Sequence, residues 1–308
     1  MRVVTDFSVV SARRVRPSGP ALSLDFAAGS FLAKGKPKTL AEVISFTRAG
    51  SALRLTSGGV LESLAANQPR LDHTEAGAAR GLLIEAAATN LMLNNITTIC
   101  PIWWQAGGNN PPAVPTTLRG LAAKSYTRTN NTFCNPDTPN AVAVTPGQAM
   151  VFSFWAASPN AAQIRPAVFN STAGTWILGH VFSDTTVTLE PGGRRYSFAF
   201  TVPAGCILIQ PKFDYSAVSA TGATIIVTAP QVEIATLETS TIITGASAVT
   251  RAADVPGVLG LTGTHDVTLI YDDLSVQTLT GSGHHTRMVA GHVAAMAAQH
   301  AGRLTGEY

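Results

Sequence analysis

The sequence predicts an all-β protein: an antiparallel jelly-roll β-sandwich with an N-terminal β-rich anchoring and assembly segment and a C-terminal β-hairpin. Three observations carry this. Charged residues are only 13% of the 308, against about a quarter in ordinary globular domains, while 45% are hydrophobic, so a core is expected without charged helices around it. Short apolar runs alternate at the two-residue period of a strand, as in Val151-Phe152-Ser153-Phe154-Trp155 and Tyr196-Ser197-Phe198-Ala199-Phe200. Between such runs stand turn signals: Pro146-Gly147, Ser158-Pro159-Asn160, Ala173-Gly174, Pro191-Gly192-Gly193, Pro203-Ala204-Gly205 and Thr221-Gly222.

Composition shifts divide the chain into an arm over 1–21, an assembly segment over 22–95, a sandwich over 96–240 and a hairpin with tail over 241–308. In the arm, Met1 to Val10 has strand character, and Arg13 to Pro20 is a basic linker punctuated by Pro and Gly. A terminal arm of this kind is expected either to dock on another protein or on a neighbouring copy, or to remain a frayed tail. Leu22-Ser23-Leu24-Asp25-Phe26 alternates as a short strand. Phe46 to Ala52 and Val60 to Leu64 flank Gly58-Gly59 and read as a hairpin.

Charges are sparse in the segment that follows, and they lie among apolar residues. Buried charge is tolerated only when paired, so Arg48, Arg70, Asp72, Arg80, Glu85 and the downstream Arg251 are expected to form structural pairs, with Arg80 and Glu85 anchoring the segment. The alternative is solvated surface charge.

From Asn94 to about Thr117 the chain is loop-like, with Pro101, Gly107-Gly108 and Pro111-Pro112 around Trp103-Trp104. Sugar rings present C–H faces that stack on aromatic rings, while their hydroxyls take planar polar partners. Trp103, Trp104, Gln105, Asn109 and Asn110, with Trp176 and Tyr215 from nearby strands, therefore form a candidate glycan site. The competing reading places at least one of the adjacent tryptophans as a plug in the sandwich.

Strands are expected near Ala123 to Arg128, Asn140 to Val144, Ala149 to Ala156, Gln163 to Phe169, Thr175 to Phe182, Thr185 to Leu189, Arg195 to Val202, Cys206 to Tyr215 and Thr224 to Ile234. Phe152, Phe154, Tyr196, Phe198 and Phe200 are expected in the core. Downstream, Asp266 to Tyr271 and Ser275 to Thr280 flank Asp272-Asp273-Leu274 as a second hairpin, and the Ala-rich stretch Met288 to His300 suggests one short helix.

Other function classes find little support. The net charge of +3 is small and dispersed, which disfavours nucleic acid, and no stretch has transmembrane length. No signal peptide is recognisable, so synthesis in a cytoplasm is expected. Cys100, Cys134 and Cys206 read as free or buried thiols, with a Cys100–Cys134 bridge as the alternative. His284, His285, His292 and His300 match no zinc spacing, and no acidic loop is dense enough for calcium, so neither metal nor other cofactor is expected. There is no Gly-x-Ser-x-Gly, Walker or dinucleotide motif, and a non-enzyme is expected.

The motif order Phe46-Thr47-Arg48-Ala49, Ala65-Ala66-Asn67-Gln68-Pro69-Arg70-Leu71-Asp72-His73, Arg80-Gly81-Leu82-Leu83-Ile84-Glu85 and Ala88-Thr89-Asn90-Leu91-Met92-Leu93-Asn94 resembles a segment of many tailed-bacteriophage virion appendage proteins of the tail-fibre and head-fibre type. There it precedes a jelly-roll domain similar to carbohydrate-binding modules. Pro230-Gln231-Val232-Glu233 and Ala248-Val249-Thr250-Arg251-Ala252-Ala253-Asp254 look like the closing strand and linker of that arrangement. The resemblance covers roughly Leu22 to Val276, and its specificity lies in the combination. It implies a structural protein at the virion surface (fibre, spike or collar), commonly a homotrimer, that contacts other virion proteins through its arm and host cell-surface polysaccharide through its sandwich. Two alternatives stand beside it: a capsid or tail decoration protein with no ligand, and a polysaccharide-degrading appendage.

Overall fold

A computed structural model describes residues 22–96, 114–128, 141–179, 185–214, 218–260, 265–282 and 291–300. The first part runs β1 (Leu22–Asp25), β2 (Ser30–Ala33), β3 (Lys36–Pro37), one helical turn α1 (Leu40–Val43), β4 (Ile44–Thr47), β5 (Ala52–Leu55), β6 (Leu61–Leu64), β7 (Arg70–His73), β8 (Ala79–Ile84) and β9 (Ala88–Asn90). The middle part is β10 (Val114–Leu118), β11 (Leu121–Thr127), β12 (Val142–Ala143), β13 (Ala149–Ala157), β14 (Gln163–Asn170), β15 (Thr175–Leu178), β16 (Val187–Thr188), β17 (Arg194–Thr201), β18 (Leu208–Asp214) and β19 (Thr224–Glu233). The last part is β20 (Val249–Arg251), β21 (Val255–Val258), β22 (His265–Tyr271), β23 (Val276–Ser282) and β24 (Gly291–His300).

The middle part is an antiparallel jelly-roll sandwich, and its strands fall where alternation and turn residues place them. One sheet has the order β10-β11-β19-β13-β17 and the other β12-β18-β14-β15, with β16 also paired to β14. Between the sheets lie Phe152, Phe154, Tyr196, Phe200, Ile209 and Phe213, with Phe198 partly buried against them. Phe154 meets Phe213 edge to face at 4.6 Å and 81°, the arrangement that ring quadrupoles favour.

Strand β13 departs from simple alternation: seven of its interior positions read as apolar and both its faces are buried. Trp155 and Ala157 point out of the sandwich core and pack with Leu55, Leu118, Ala123 and Ala229, and Leu61 and Ile243 join them. Hairpin β5–β6 thus covers the outer face of the first sheet. A bulge between Ser153 and Trp155 opposite β19, where Ala229 takes a φ of +48°, turns Trp155 toward this cover. The indole Nε1–H then donates to Thr241 Oγ1 at 2.8 Å.

The first and last parts of the chain build one sheet together. Its order is β23-β22-β24-β1-β2-β3, and β8, carrying β7, also pairs with β24. Its core contains Leu22, Leu24, Phe26, Leu82, Ile84, Val267, Leu269 and Val293. Two short ladders, β4–β21 and β9–β20, add further links between the early and late segments.

Two expectations need correction. The first hairpin pairs Ala52–Leu55 with Leu61–Leu64, so its first strand begins at Ala52 and not at Phe46. The reason is a tight reversal at Arg48 to Gly50, where Gly50 N–H donates to Arg48 O at 2.9 Å and Gly50 has a φ of +142°. The expected Gly58-Gly59 turn is present, with Gly59 at a φ of +69°. The stretch expected to be helical is strand β24: alanine favours helix locally, but here ladders to β22 on one side and to β1 and β8 on the other take up the backbone. The C-terminal hairpin itself forms as expected, Val267 pairing with Leu279 and Ile270 with Val276. Met1 to Val10 and the basic linker lie outside the described residues.

Candidate functional site

Two groups of side chains stand out: a buried knot of ions, and an aromatic face on the second sheet of the sandwich.

The knot forms where the assembly segment, the loop leaving the sandwich and the C-terminal part meet. Arg48, directly after β4, is 2% exposed and donates from Nε to Gly50 O (3.0 Å), from Nη1 to Gln68 O and Asp254 Oδ1 (both 3.1 Å), and from Nη2 to Ala65 O (2.8 Å). Arg70, on β7, is fully buried and donates to Leu53 O (3.1 Å), to Ser240 Oγ (2.7 Å) and to the second oxygen of Asp254, and lies 2.8 Å from Glu85. Arg251, at the end of β20, reaches Ala86 O at 2.7 Å and lies 3.4 Å from Glu85. Glu85 also accepts the Ser240 N–H and hydroxyl, each at 2.6 Å. Three guanidiniums therefore surround two carboxylates.

Burial alone opposes ionisation of Glu85. The Arg251 and Arg70 charges and the Ser240 hydrogen bonds outweigh it, and hold the carboxyl below its ordinary value of 4.5. Burial also pushes the Arg251 guanidinium down from its ordinary value, although the Glu85 charge opposes the shift.

Of the residues expected to pair, Arg48, Arg70, Arg80, Glu85 and Arg251 stand in ion pairs, Arg80 with a different partner from the one expected. Arg80 does not meet Glu85; its Nε donates to Asp272 in the β22–β23 turn at 2.6 Å, where both groups are partly exposed. Asp72 accepts the Leu55 N–H at 2.6 Å and so fixes the hairpin backbone. Asp254 was not singled out in the sequence, although it accepts hydrogen bonds from two of the three arginines and lies 3.9 Å from the third. The similarity of Thr47-Arg48-Ala49 to Thr250-Arg251-Ala252 was the available signal, since both arginines converge on this knot.

The second group lies on the outer face of the β12-β18-β14-β15 sheet. Register places Phe169 of β14 opposite Trp176 of β15 and Gln210 of β18, and Ala167 opposite Lys212. The Phe169 and Trp176 rings meet edge to face, 5.0 Å between centroids at 63°. Lys212 Nζ is 5.3 Å from the Phe169 centroid and 5.8 Å from that of Trp176, so one cation borders both rings. Arg165, two strand repeats from Phe169 along the same face, donates from Nε to Thr186 Oγ1 at 3.0 Å. Such a face offers C–H stacking beside hydrogen-bonding groups of both kinds. Of the sequence candidates, Trp176 belongs to it, while Phe169, Gln210 and Lys212 were missed; their alternation with the core residues Val168, Ile209 and Phe213 could have found them. Trp103, Trp104, Gln105, Asn109, Asn110 and Tyr215 lie outside the described residues, as do Cys100, Cys134, His284 and His285.

Cys206 is free and buried in the sandwich core. Among the described residues no group of His, Cys, Asp and Glu could hold a metal ion, and no helix is long and apolar enough to cross a membrane.

No protein-family model matches the chain, and no curated protein matches it. Among solved structures, it is similar to the enzymatically active domain of bacteriophage CBA120 tailspike protein 4, at 15% identity and a TM-score of 0.36, over 46% of this chain and 21% of that one. It is also similar to a CBM4 structure, at 18% identity and a TM-score of 0.32 over 49% of this chain and 95% of that one. A third is a family 16 carbohydrate-binding module, at 14% identity and a TM-score of 0.34 over 46% and 99% of the respective chains. The chain spans about a fifth of the tailspike domain's length. Neither activity nor ligand is carried over from likenesses this distant; the class defined by sheet order and register is an antiparallel β-sandwich set into a second, shared β-sheet.

Proposed function

We propose that this chain is a non-catalytic appendage protein at the surface of a phage virion, and that its sandwich contributes to host attachment by binding cell-surface polysaccharide weakly through many copies. The observation that carries the binding half is the Trp176–Phe169–Lys212 face, which combines a stacking surface with a cation and the Gln210 amide. The virion half is supported by the resemblance of the motif segment, whose charged residues converge with Arg251 and Asp254 in one knot. Trp103, Trp104, Gln105, Asn109 and Asn110, and Tyr215, belong to the proposed site on sequence grounds. Stacking contributes about 1 kcal/mol per ring, which leaves a single site near the millimolar range, and display of several copies can raise avidity by about 10²-fold.

The test is Trp176→Ala, and separately Trp103→Ala with Trp104→Ala, in particles that retain the protein. Loss of adsorption to host cells and of binding to purified host polysaccharide supports the reading. Undiminished binding in both variants refutes the site. A second reading, a decoration protein without ligand, is favoured by the covered outer face of the other sheet, which makes the sandwich a fixed part of its own chain. Absence of polysaccharide binding by the unaltered protein would select it.

A further inference from the structure

Hairpin β5–β6, the β22–β23 turn and the loop after β19 enclose a cleft of about 780 Å³, within the range of small-molecule sites. Leu55, Leu83 and Trp155 form its buried floor. The Tyr271 ring lines it as well and is fixed in place. Its hydroxyl donates to Gln277 Oε1 at 2.9 Å, and a Cβ at Gly291 would come within 3.2 Å of its Cδ1 and Cε1, so the ring rests on bare backbone there. Most charges of the cleft are already answered. Arg54 is paired with Glu62 and donates to Leu71 O, and Arg80 is paired with Asp272 through Nε. Arg195 donates to Thr239 O and Ser153 Oγ, and the charges of Glu233 and Glu238 oppose its own. Asp72 accepts the Leu55 N–H, and one oxygen of Asp273 accepts the Ser275 N–H.

What is left over is a mixed set of donors and acceptors. His73 Nδ1 stands 3.1 Å from Leu55 O, which only accepts, so in the neutral ring Nδ1 carries the proton and Nε2 is left as an acceptor. The Glu75 carboxylate, the Arg80 Nη groups and Gln277 Nε2 have no partner among the described residues, and all these residues line the cleft. An anion would meet Glu75, Glu238 and Asp273; a cation would leave the donors of Arg80 and Gln277 unanswered. No group of His, Cys, Asp and Glu among the described residues is placed to hold a metal ion. An apolar ligand would strip water from all of these polar groups without replacing it. The hydroxyls of an uncharged sugar each donate and accept, so one ring can answer carboxylate, imidazole and guanidinium together while its C–H face rests on Tyr271. We propose that this cleft binds an uncharged saccharide. The proposal extends the polysaccharide reading to a second site, separate from the Trp176 face, and does not need the first.

The test uses the full-length chain in calorimetric titration, with neutral oligosaccharides of glucose, galactose and mannose as probes and an oligogalacturonate as the acidic comparison. One variant, Trp176→Ala, removes the sandwich face; a second, Glu75→Ala with Gln277→Ala, alters the cleft; unchanged melting establishes that each folds. A neutral probe is expected to bind the Trp176→Ala chain and to shift the indole N–H resonance of Trp155 on the cleft floor. Adding Glu75→Ala and Gln277→Ala to that chain should weaken the binding about tenfold and remove the shift. The oligogalacturonate should bind the Trp176→Ala chain more weakly than the neutral probe does. The proposal is overturned if no neutral probe binds the Trp176→Ala chain, if the cleft variant leaves that binding intact, or if the acidic probe binds there equally well. Failure of the sandwich-face reading gives a different result: Trp176→Ala changes nothing, and the cleft variant alone weakens all binding.

Discussion

Replacing Asp254 by Asn tests the ion knot most directly. The Asp254 side chain is fully buried and accepts from Arg48 Nη1 at 3.1 Å, from Arg70 Nη2 and from the Glu85 N–H at 2.9 Å. Asparagine keeps one acceptor oxygen but directs an NH₂ group at a guanidinium that is itself only a donor. Hydrogen bonds to charged groups contribute about 1.5–3 kcal/mol each, and breaking a buried pair from one side costs about 3–5 kcal/mol because the remaining charge stays buried. Two arginines are affected, so we expect a loss of about 3–5 kcal/mol, a large part of the roughly 5–15 kcal/mol of a typical fold. The assay is urea denaturation followed by tryptophan fluorescence, since Trp155 reports on the same junction through Thr241. Arg80→Ala is the control: its partner Asp272 sits in a partly exposed pair, and such pairs contribute about 0–1 kcal/mol. A Asp254→Asn midpoint no lower than that of Arg80→Ala would refute the claim that this knot fastens the chain.

Acid should loosen the same junction. Glu85 has a folded value below its ordinary 4.5, so its contribution is fully present above 4.5 and is lost as pH falls through the folded value; Glu85→Gln should abolish that part of the acid sensitivity in melting curves from pH 7 downward. Gly77→Ala should destabilise more than Gly147→Ala, although both glycines have a positive φ near +80°. A Cβ at Gly77 would lie 2.3 Å from Ser57 O, whereas Gly147 has nothing within 4 Å, so only the backbone cost of about 1–2 kcal/mol applies there. Thermal melts of the two variants check the order. Asn90→Ala should cost at least about 2 kcal/mol in urea denaturation, because the Asn90 side chain donates to Ile242 O at 3.0 Å and accepts from Met92 N–H and Val232 N–H at 3.0 and 3.1 Å, all in the interior.

Much of this architecture is legible before any coordinates. The sandwich strands follow from alternation because one face of most of them meets a single core, which is the condition under which a two-residue period carries information. That condition fails for β13, which the hairpin covers from the other side, and for β24, whose place is decided by its neighbours in the sheet and not by the helix preference of its alanines. The charge pairs were visible as a class, since arginine and carboxylate in an apolar segment must find each other. Their partners were not, because Arg48 and Asp254 are 206 residues apart and local spacing says nothing about such a contact. Lys212 was missed for a related reason: its role depends on which residues of β14 and β15 it lies across from, and register is a property of the folded sheet.

The ladder of β9 and β20 has a mechanical consequence. The chain leaves for the sandwich just after Asn90 and returns just before Val249, and these two residues pair with each other. A pull on the sandwich therefore loads both strands from the same end, and their hydrogen bonds open one after another in a zipper geometry instead of resisting together in shear. Directly behind that zipper lie Glu85, Arg251 and Asp254. Hydrogen bonds fail within a fraction of an ångström of stretch, whereas attraction between ions falls only with the inverse of distance. Tension that unfastens the first element would thus meet a second that yields gradually.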